Sequence, residues 1–483
     1  MPANETGSAG PDPAFQETVT RGVSLLRGDP KTAIRKLSGP MIVAMLLTAI
    51  YNLADAVWVA GLGADALAGV GFITPLFMIL MALSVGLGAG ATSVVARRIG
   101  SRDKQGADNA AVHAIILSVP VSAVLLVILV LFLRPIIELM GAGSATDLAV
   151  EYGSIVFLGS IFFLVAQIAY AVLRAEGDTR RTMYVMALSS VLNIVLDPIL
   201  IYWAGLGIAG AAWATVISIF AVVLVIGYWF FVRKDTYVTI ALRTFSPDPQ
   251  TFRAILGVGL PASIEMLLMS AVVIIINAIL VHVAGADAVA VFTSGWRIVM
   301  FAIVPLNAIS TSVVSVVGAA YGAREYDRIR VAHRYTITIG VVIALVTSLL
   351  TYLLAPLITT LFTYAPENAS LVPMFILFFQ TMCLFYPFTP LGMFSSSVFQ
   401  GTGHGLTSLV ISLFRNLVFI AVFSYLLAVV FGFAEMGVFM GIVAGNILGG
   451  LVGYLWARTF IARLIRTWEA ETGGLVREEV AEP

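Results

Sequence analysis

Of the 27 acidic residues in the chain, only Asp55, Asp197 and Glu265 lie well inside apolar stretches, and of the 27 basic residues only Arg297 and Arg415 do. A charge at the centre of a bilayer costs at least ~2.5–3.5 kcal/mol on insertion scales, so each of the five needs a chemical reason. Carboxylates in such a setting can take up and release a proton or hold a sodium ion. Depth follows from the rise of a helix, about 1.5 Å per residue, counted from the nearest basic boundary. Asp55 lies roughly 28 Å past Lys36 and Asp197 roughly 24 Å past Arg181, while Glu265 lies roughly 18 Å past Arg253, nearer the midplane. Tyr51 and Asn52 stand four and three residues before Asp55, and Asn193 four before Asp197, so each acid shares its helix face with polar neighbours. Pro198, directly after Asp197, frees a carbonyl one turn back and is expected to kink its helix.

Each of these residues also has a plainer reading. Asp55 and Asp197 could serve ion or proton coupling, or a hydrogen bond to a neighbouring helix. Glu265 could couple an ion, or form a fixed ion pair with Arg297 or Arg415. Asn193 by itself is helix–helix glue, and Tyr152 near a span end is an interfacial aromatic. Cys383, the single cysteine, is a small core hydrophobe. His113, His282, His333 and His404 are scattered at span ends and loops and suggest no metal site.

The elements that must position these side chains are transmembrane helices. The chain has 483 residues, 60% hydrophobic and 11% charged, against roughly 25% charged in a soluble domain. The zero net charge gives no reason to expect a nucleic-acid partner. A span needs about 20 apolar residues. Twelve stretches qualify, near 38–60, 72–96, 110–133, 149–173, 183–204, 208–231, 254–282, 289–317, 334–363, 371–398, 407–430 and 437–460. The short-period alternation of a β-barrel is absent, so the fold is all-α. The basic residues divide 24 to one, Arg134 alone lying on the far side. The positive-inside rule therefore places both termini in the cytoplasm of a multi-pass protein of the cell membrane. No cleavable signal peptide is read at the start.

The chain repeats itself. Gly63-Ala64-Asp65-Ala66 returns as Gly285-Ala286-Asp287-Ala288, and Gly100-Ser101-Arg102-Asp103 returns as Gly322-Ala323-Arg324-Glu325, both at the same offset along the chain. Six spans bring the chain back to the side it started from, so the repeat is parallel. The expected organisation is a polar tail and interfacial segment over 1–36, with 1–20 disordered and 21–36 on the membrane surface. A six-helix lobe over 37–231, a linker over 232–253, a second lobe over 254–462 and a tail over 463–483 follow. Such repeats commonly flank substrate sites of transporters. Gly86-Leu87-Gly88-Ala89-Gly90 suits close helix packing rather than a dinucleotide. Walker A, His-Glu-x-x-His and Gly-x-Ser-x-Gly sequences are absent, so neither an enzyme nor ATP-driven transport is indicated.

The run Tyr51-Asn52-Leu53-Ala54-Asp55 with Trp58 and Gly61, the later Arg174-Ala175-x-Gly177-Asp178-Thr179, and Asn193-Ile194-x-x-Asp197-Pro198 resemble the multidrug and toxic compound extrusion (MATE) family, more narrowly its DinF-like branch. The resemblance implies a V-shaped pair of bundles exporting small organic cations and other amphipathic compounds in exchange for protons or sodium, with no cofactor. It implies that Asp55 and Asp197 line a cavity of the first lobe with Tyr51, Tyr152, Asn193 and Thr215, with Asn52 beside them. Pro40 matches a proline linked to bending of the first span; its plainer reading is a proline in a helix's first turn. Glu265 resembles an acid of the NorM-like branch, whose span-10 partner is missing here, which makes it an auxiliary. A monomer embedded in lipid is expected. The alternative cargo is a lipid-linked precursor moved by a flippase of the same superfamily, with only Arg297 and Arg415 to meet its phosphates.

Overall fold

The computed structural model describes residues 19–241, 243, 245–364 and 366–481, with the side chains of 366–368 and 472–481 left out of the description. The expectation of disorder over 1–20 falls almost wholly outside the described residues. All regular elements among the described residues are helical.

Spans 1 to 3 are Pro30–Ala60, Ala64–Gly100 and Lys104–Leu131. Span 4 is a bent pair, Gly143–Leu158 and Ser160–Ala175, with 47° between its parts. Spans 5 and 6 are Thr179–Trp203 and Gly207–Arg233. Pro249–Gly322 is one run of 74 helical residues, ~110 Å long, far more than one crossing of a ~30 Å core. It is interrupted at Gly285 (φ 77°, ψ −168°), and its two arms face each other across a cavity lined by Met269 and Val272 on one arm and Phe292 and Trp296 on the other. They are spans 7 and 8. Spans 9 to 12 are Tyr326–Thr360, Ala369–Gly401, Gly405–Val430 and Ala434–Glu471. The total among the described residues is the expected twelve.

The duplication is written in the backbone. Residues with positive φ occur in pairs at the repeat spacing: Gly63 with Gly285, Arg102 with Arg324, Gly205 with Gly432, and Gly207 with Ala434. The first two pairs share the offset of the sequence repeat. The last two share a slightly longer one, so a few extra residues enter the second half between them. Apolar side chains gather in two main cores, one built from Val23 and Ile73 through Ile255, the other from Val272 through Ile465 together with Leu26, Ala33, Ile34 and Leu37 from the start of the chain.

Three features differ from the sequence expectations at the end that carries the basic loops. Residues 21–36 do not form a surface helix: Arg21–Leu26 is a short helix, and span 1 has already begun at Pro30. Val23 packs into the first core and Leu26 into the second, both fully buried. Arg27 donates to the Ile99 carbonyl at 3.0 Å, and Arg328 to the Leu26 carbonyl at 2.9 Å. The apolar residues of this segment meet protein, so its amphipathic composition serves a bridge between the two halves. Second, Pro40 lies well inside the span 1 helix, which starts at Pro30, and not in its first turn. Third, the helix of span 12 continues to Ala481, through the segment expected as a tail. The 232–253 linker is laced to the first half, with Val238 N–H donating to Glu176 at 2.9 Å and Asp248 N–H to His113 Nε2 at 2.9 Å.

Candidate functional site

A cavity of about 500 Å³ lies among spans 1, 2, 4, 5 and 6. Span 1 supplies Tyr51, Asn52 and Asp55 from one helix face. Span 4 adds Tyr152 and span 6 adds Thr215, so Tyr152 faces the cavity and does not serve as an interfacial aromatic. Asn193 of span 5 is buried and donates to Thr215 Oγ1 at 3.3 Å, and Thr215 in turn donates to the Ala211 carbonyl at 3.1 Å. Asp197 sits one turn further along, fully buried.

Both Asp197 carboxylate oxygens, Asp55 Oδ1 and Asn193 Oδ1 are buried with no hydrogen-bond partner. Asp55 and Asp197 are near enough for their charges to interact, and neither takes part in any ion pair among the described residues. A carboxylate oxygen buried without a donor calls for a proton or a counter-charge, and no ion pair among the described residues supplies the second. No group of three or more potential metal ligands occurs among the described residues.

Spans 1 and 5 are locked together just beyond these acids. After Pro198 the helix widens into a π-helical turn, Ile199–Trp203. Within that turn Tyr202 donates to the Trp58 carbonyl at 2.6 Å and packs edge-on against the Trp58 ring, centroids 6.3 Å apart.

Several lining residues had not been singled out from sequence. Gln167 and Tyr170 of span 4, Met78 and Met81 of span 2 and Met266 of span 7 also face the cavity. Gln167 could have been found as a polar residue inside a span; the methionines carry no such signal. Met266 shows that the cavity reaches the second half.

Glu265 is elsewhere. It points into the second half, where Ser396 (3.2 Å), Ser408 (3.2 Å), Gln400 (3.3 Å) and Ser412 all donate to it. The alternative of a fixed ion pair is not what forms: no ion pair among the described residues involves Glu265, Arg297 or Arg415. Arg297 is exposed. Hydroxyls of spans 10 and 11 replace the cation because they stand on the helix faces turned towards span 7. His113, His333 and His404 each hold local polar partners, and Cys383 is buried in the second core.

The MatE family model matches residues 40–199 and 261–426, one match in each half. The chain belongs to that family, the multidrug and toxic compound extrusion transporters. Among solved structures, it is similar to one described as the outward-facing conformation of a multidrug resistance MATE family transporter of the MOP superfamily. The TM-score is 0.91 and the identity 44%, over 93% of this chain and 100% of the other. Among curated proteins it is similar to an FAD transporter of Shewanella oneidensis, 25% identical over 90% of this chain and 96% of that one. It is also similar to the multidrug export protein MepA of Staphylococcus aureus, 24% identical over 88% and 89%.

Proposed function

We propose that this protein is a secondary antiporter of the cell membrane that exports organic cations and other amphipathic compounds in exchange for protons, as a monomer with both termini in the cytoplasm. The observation that carries the reading is the Asp55/Asp197 pair, two carboxylates without partners beside a cavity of about 500 Å³. An ionised pair attracts a cationic substrate, and a proton taken up from outside removes that attraction and releases the substrate outward. The empty, protonated carrier returns and gives up its proton inside. Tyr51, Asn52, Tyr152, Asn193 and Thr215 would shape the substrate cavity. Pro40 and Pro198 with its π-helical turn would let spans 1 and 5 change shape without breaking regular helix elsewhere. Glu265, already held by four donors, would act as a structural tie with at most an auxiliary part. The FAD transporter among the relatives widens the cargo worth testing.

The test uses purified protein in liposomes loaded with a fluorescent organic cation, under a proton or a sodium gradient. Proton-driven movement that disappears in Asp55→Asn and in Asp197→Asn is expected. Movement driven by sodium alone would reassign the coupling ion. Wild-type pumping by both variants would overturn the reading.

A further inference from the structure

The second half contains a cavity of about 140 Å³ at the place that corresponds, by the repeat, to the larger one. Thr74, Met78 and Ser189 line the first cavity. Their repeat partners Trp296, Met300 and Asn416, at the two offsets set by the paired backbone turns, line the second. The copy has lost its acids. Asp55 corresponds to Asn277 and Asp197 to Ser424. It carries a cation instead: Arg415 lines the second cavity, whereas the first half has only uncharged residues, Leu188 and Ser189, at the equivalent turn of its helix.

Arg415 is held by a built cradle. A Cβ on Gly392 would overlap its Nη1, and a Cβ on Gly449 would overlap its Cγ, so these two glycines leave the channel through which the side chain runs. Nε donates to Asn416 Oδ1 at 3.0 Å, while Nη1 is buried and has no partner. Glu265 is near enough to act on Arg415 electrostatically, but its oxygens already accept from Ser396, Gln400, Ser408 and Ser412. Arg415 thus lines the cavity without an ion pair among the described residues; Nη1 itself is packed against Gly392, and the charge inside span 11 is left for an anion in the cavity to neutralise.

We propose that this cavity binds a single aromatic ring bearing a carboxylate, either as a small aromatic acid or as the acidic end of a larger amphiphile. Trp296, Phe292 and Phe385, packed on one another, line it with aromatic surface, Arg415 offers the charge, and a cavity of ~150 Å³ is known to take one benzene-sized ring. The two halves would then present opposite charges to a zwitterionic substrate. The site does not depend on ion coupling at Asp55 and Asp197.

The test is equilibrium binding to the purified full chain, with no gradient, followed by fluorescence polarisation. Rhodamine 110 carries a free carboxylate, and rhodamine 123 is its methyl ester on the same ring system. Arg415→Gln is expected to weaken rhodamine 110 at least tenfold, the loss of about one charged hydrogen bond, with rhodamine 123 changed less than twofold. Gly392→Ala keeps the charge but displaces Nη1, and is expected to act in the same direction; it carries the test if Arg415→Gln does not survive purification. Unchanged rhodamine 110 binding, or equal weakening of both dyes in variants that stay monodisperse, would overturn the proposal. Asp55→Asn, measured alongside, reports on the first cavity only.

Discussion

Gly100 and Gly322, equivalent positions of the repeat, make the same contact in exchange: a Cβ on Gly100 would overlap the Ala319 carbonyl, and a Cβ on Gly322 would overlap that of Arg97. Arg97 and Ala319 are themselves equivalent in the repeat, as a two-fold relation between the halves requires. On the same side Gly90 lies against the Ile255 carbonyl and Gly86 against Gly259 and Ser263. The halves are thus held backbone to backbone at the end that carries the basic loops.

Wedging this contact apart is expected to disable transport. Gly100→Val and Gly322→Val should each cut the transport rate at least tenfold. The double variant should be no worse than either single, because both open one contact and coupled sites are not additive. Initial rates in liposomes would decide it; a multiplicative loss would refute the shared contact.

The two unpartnered aspartates should also behave as a unit. Asp55→Asn, Asp197→Asn and the double variant are each expected to lose proton-driven export by about a hundredfold, with no further loss in the double. Asn193→Leu, which removes the bridge to Thr215, should give an intermediate rate. The measurement is dye export against an imposed pH gradient.

Glu265 should be a matter of stability. Glu265→Gln keeps the volume but forces a mismatch among four donors, which is expected to cost about 1–2 kcal/mol and lower the apparent Tm. Proton-driven export should remain within a few-fold of wild type. Abolished export at unchanged Tm would move the coupling site to this acid.

Glu176, at the basic end beyond span 4, gives a pH prediction. It is buried, and burial pushes its carboxyl from 4.5 up to about 8. The folded protein therefore holds a proton that the unfolded chain releases above ~4.5. Stability from this group is full below about 4.5 and is lost as pH rises through about 8. Glu176→Gln removes the dependence, so its apparent Tm should exceed that of wild type at pH 8.5 and should vary less between pH 5 and 8.5. Thermal unfolding in detergent at both pH values is the check.

The helical class, the twelve crossings and the duplication were legible from the residues alone, because each span must satisfy its own backbone hydrogen bonds in lipid and so announces itself in a local window of apolar residues. Asp55, Asp197, Glu265 and Arg415 were marked in the same way, since a charge in such a window is conspicuous without any knowledge of its neighbours. Partners were a different matter. That Glu265 meets Ser396, Gln400, Ser408 and Ser412 rather than an arginine depends on how spans 7, 10 and 11 are rotated about their axes. The same holds for Val23 and Leu26 entering opposite cores, and for Gln167 turning into the first cavity. Hydropathy fixes how far along the membrane normal a residue sits, but not which way it faces within the bundle. That direction comes from the packing of one helix against another, which left Asp197 and the Nη1 of Arg415 without partners.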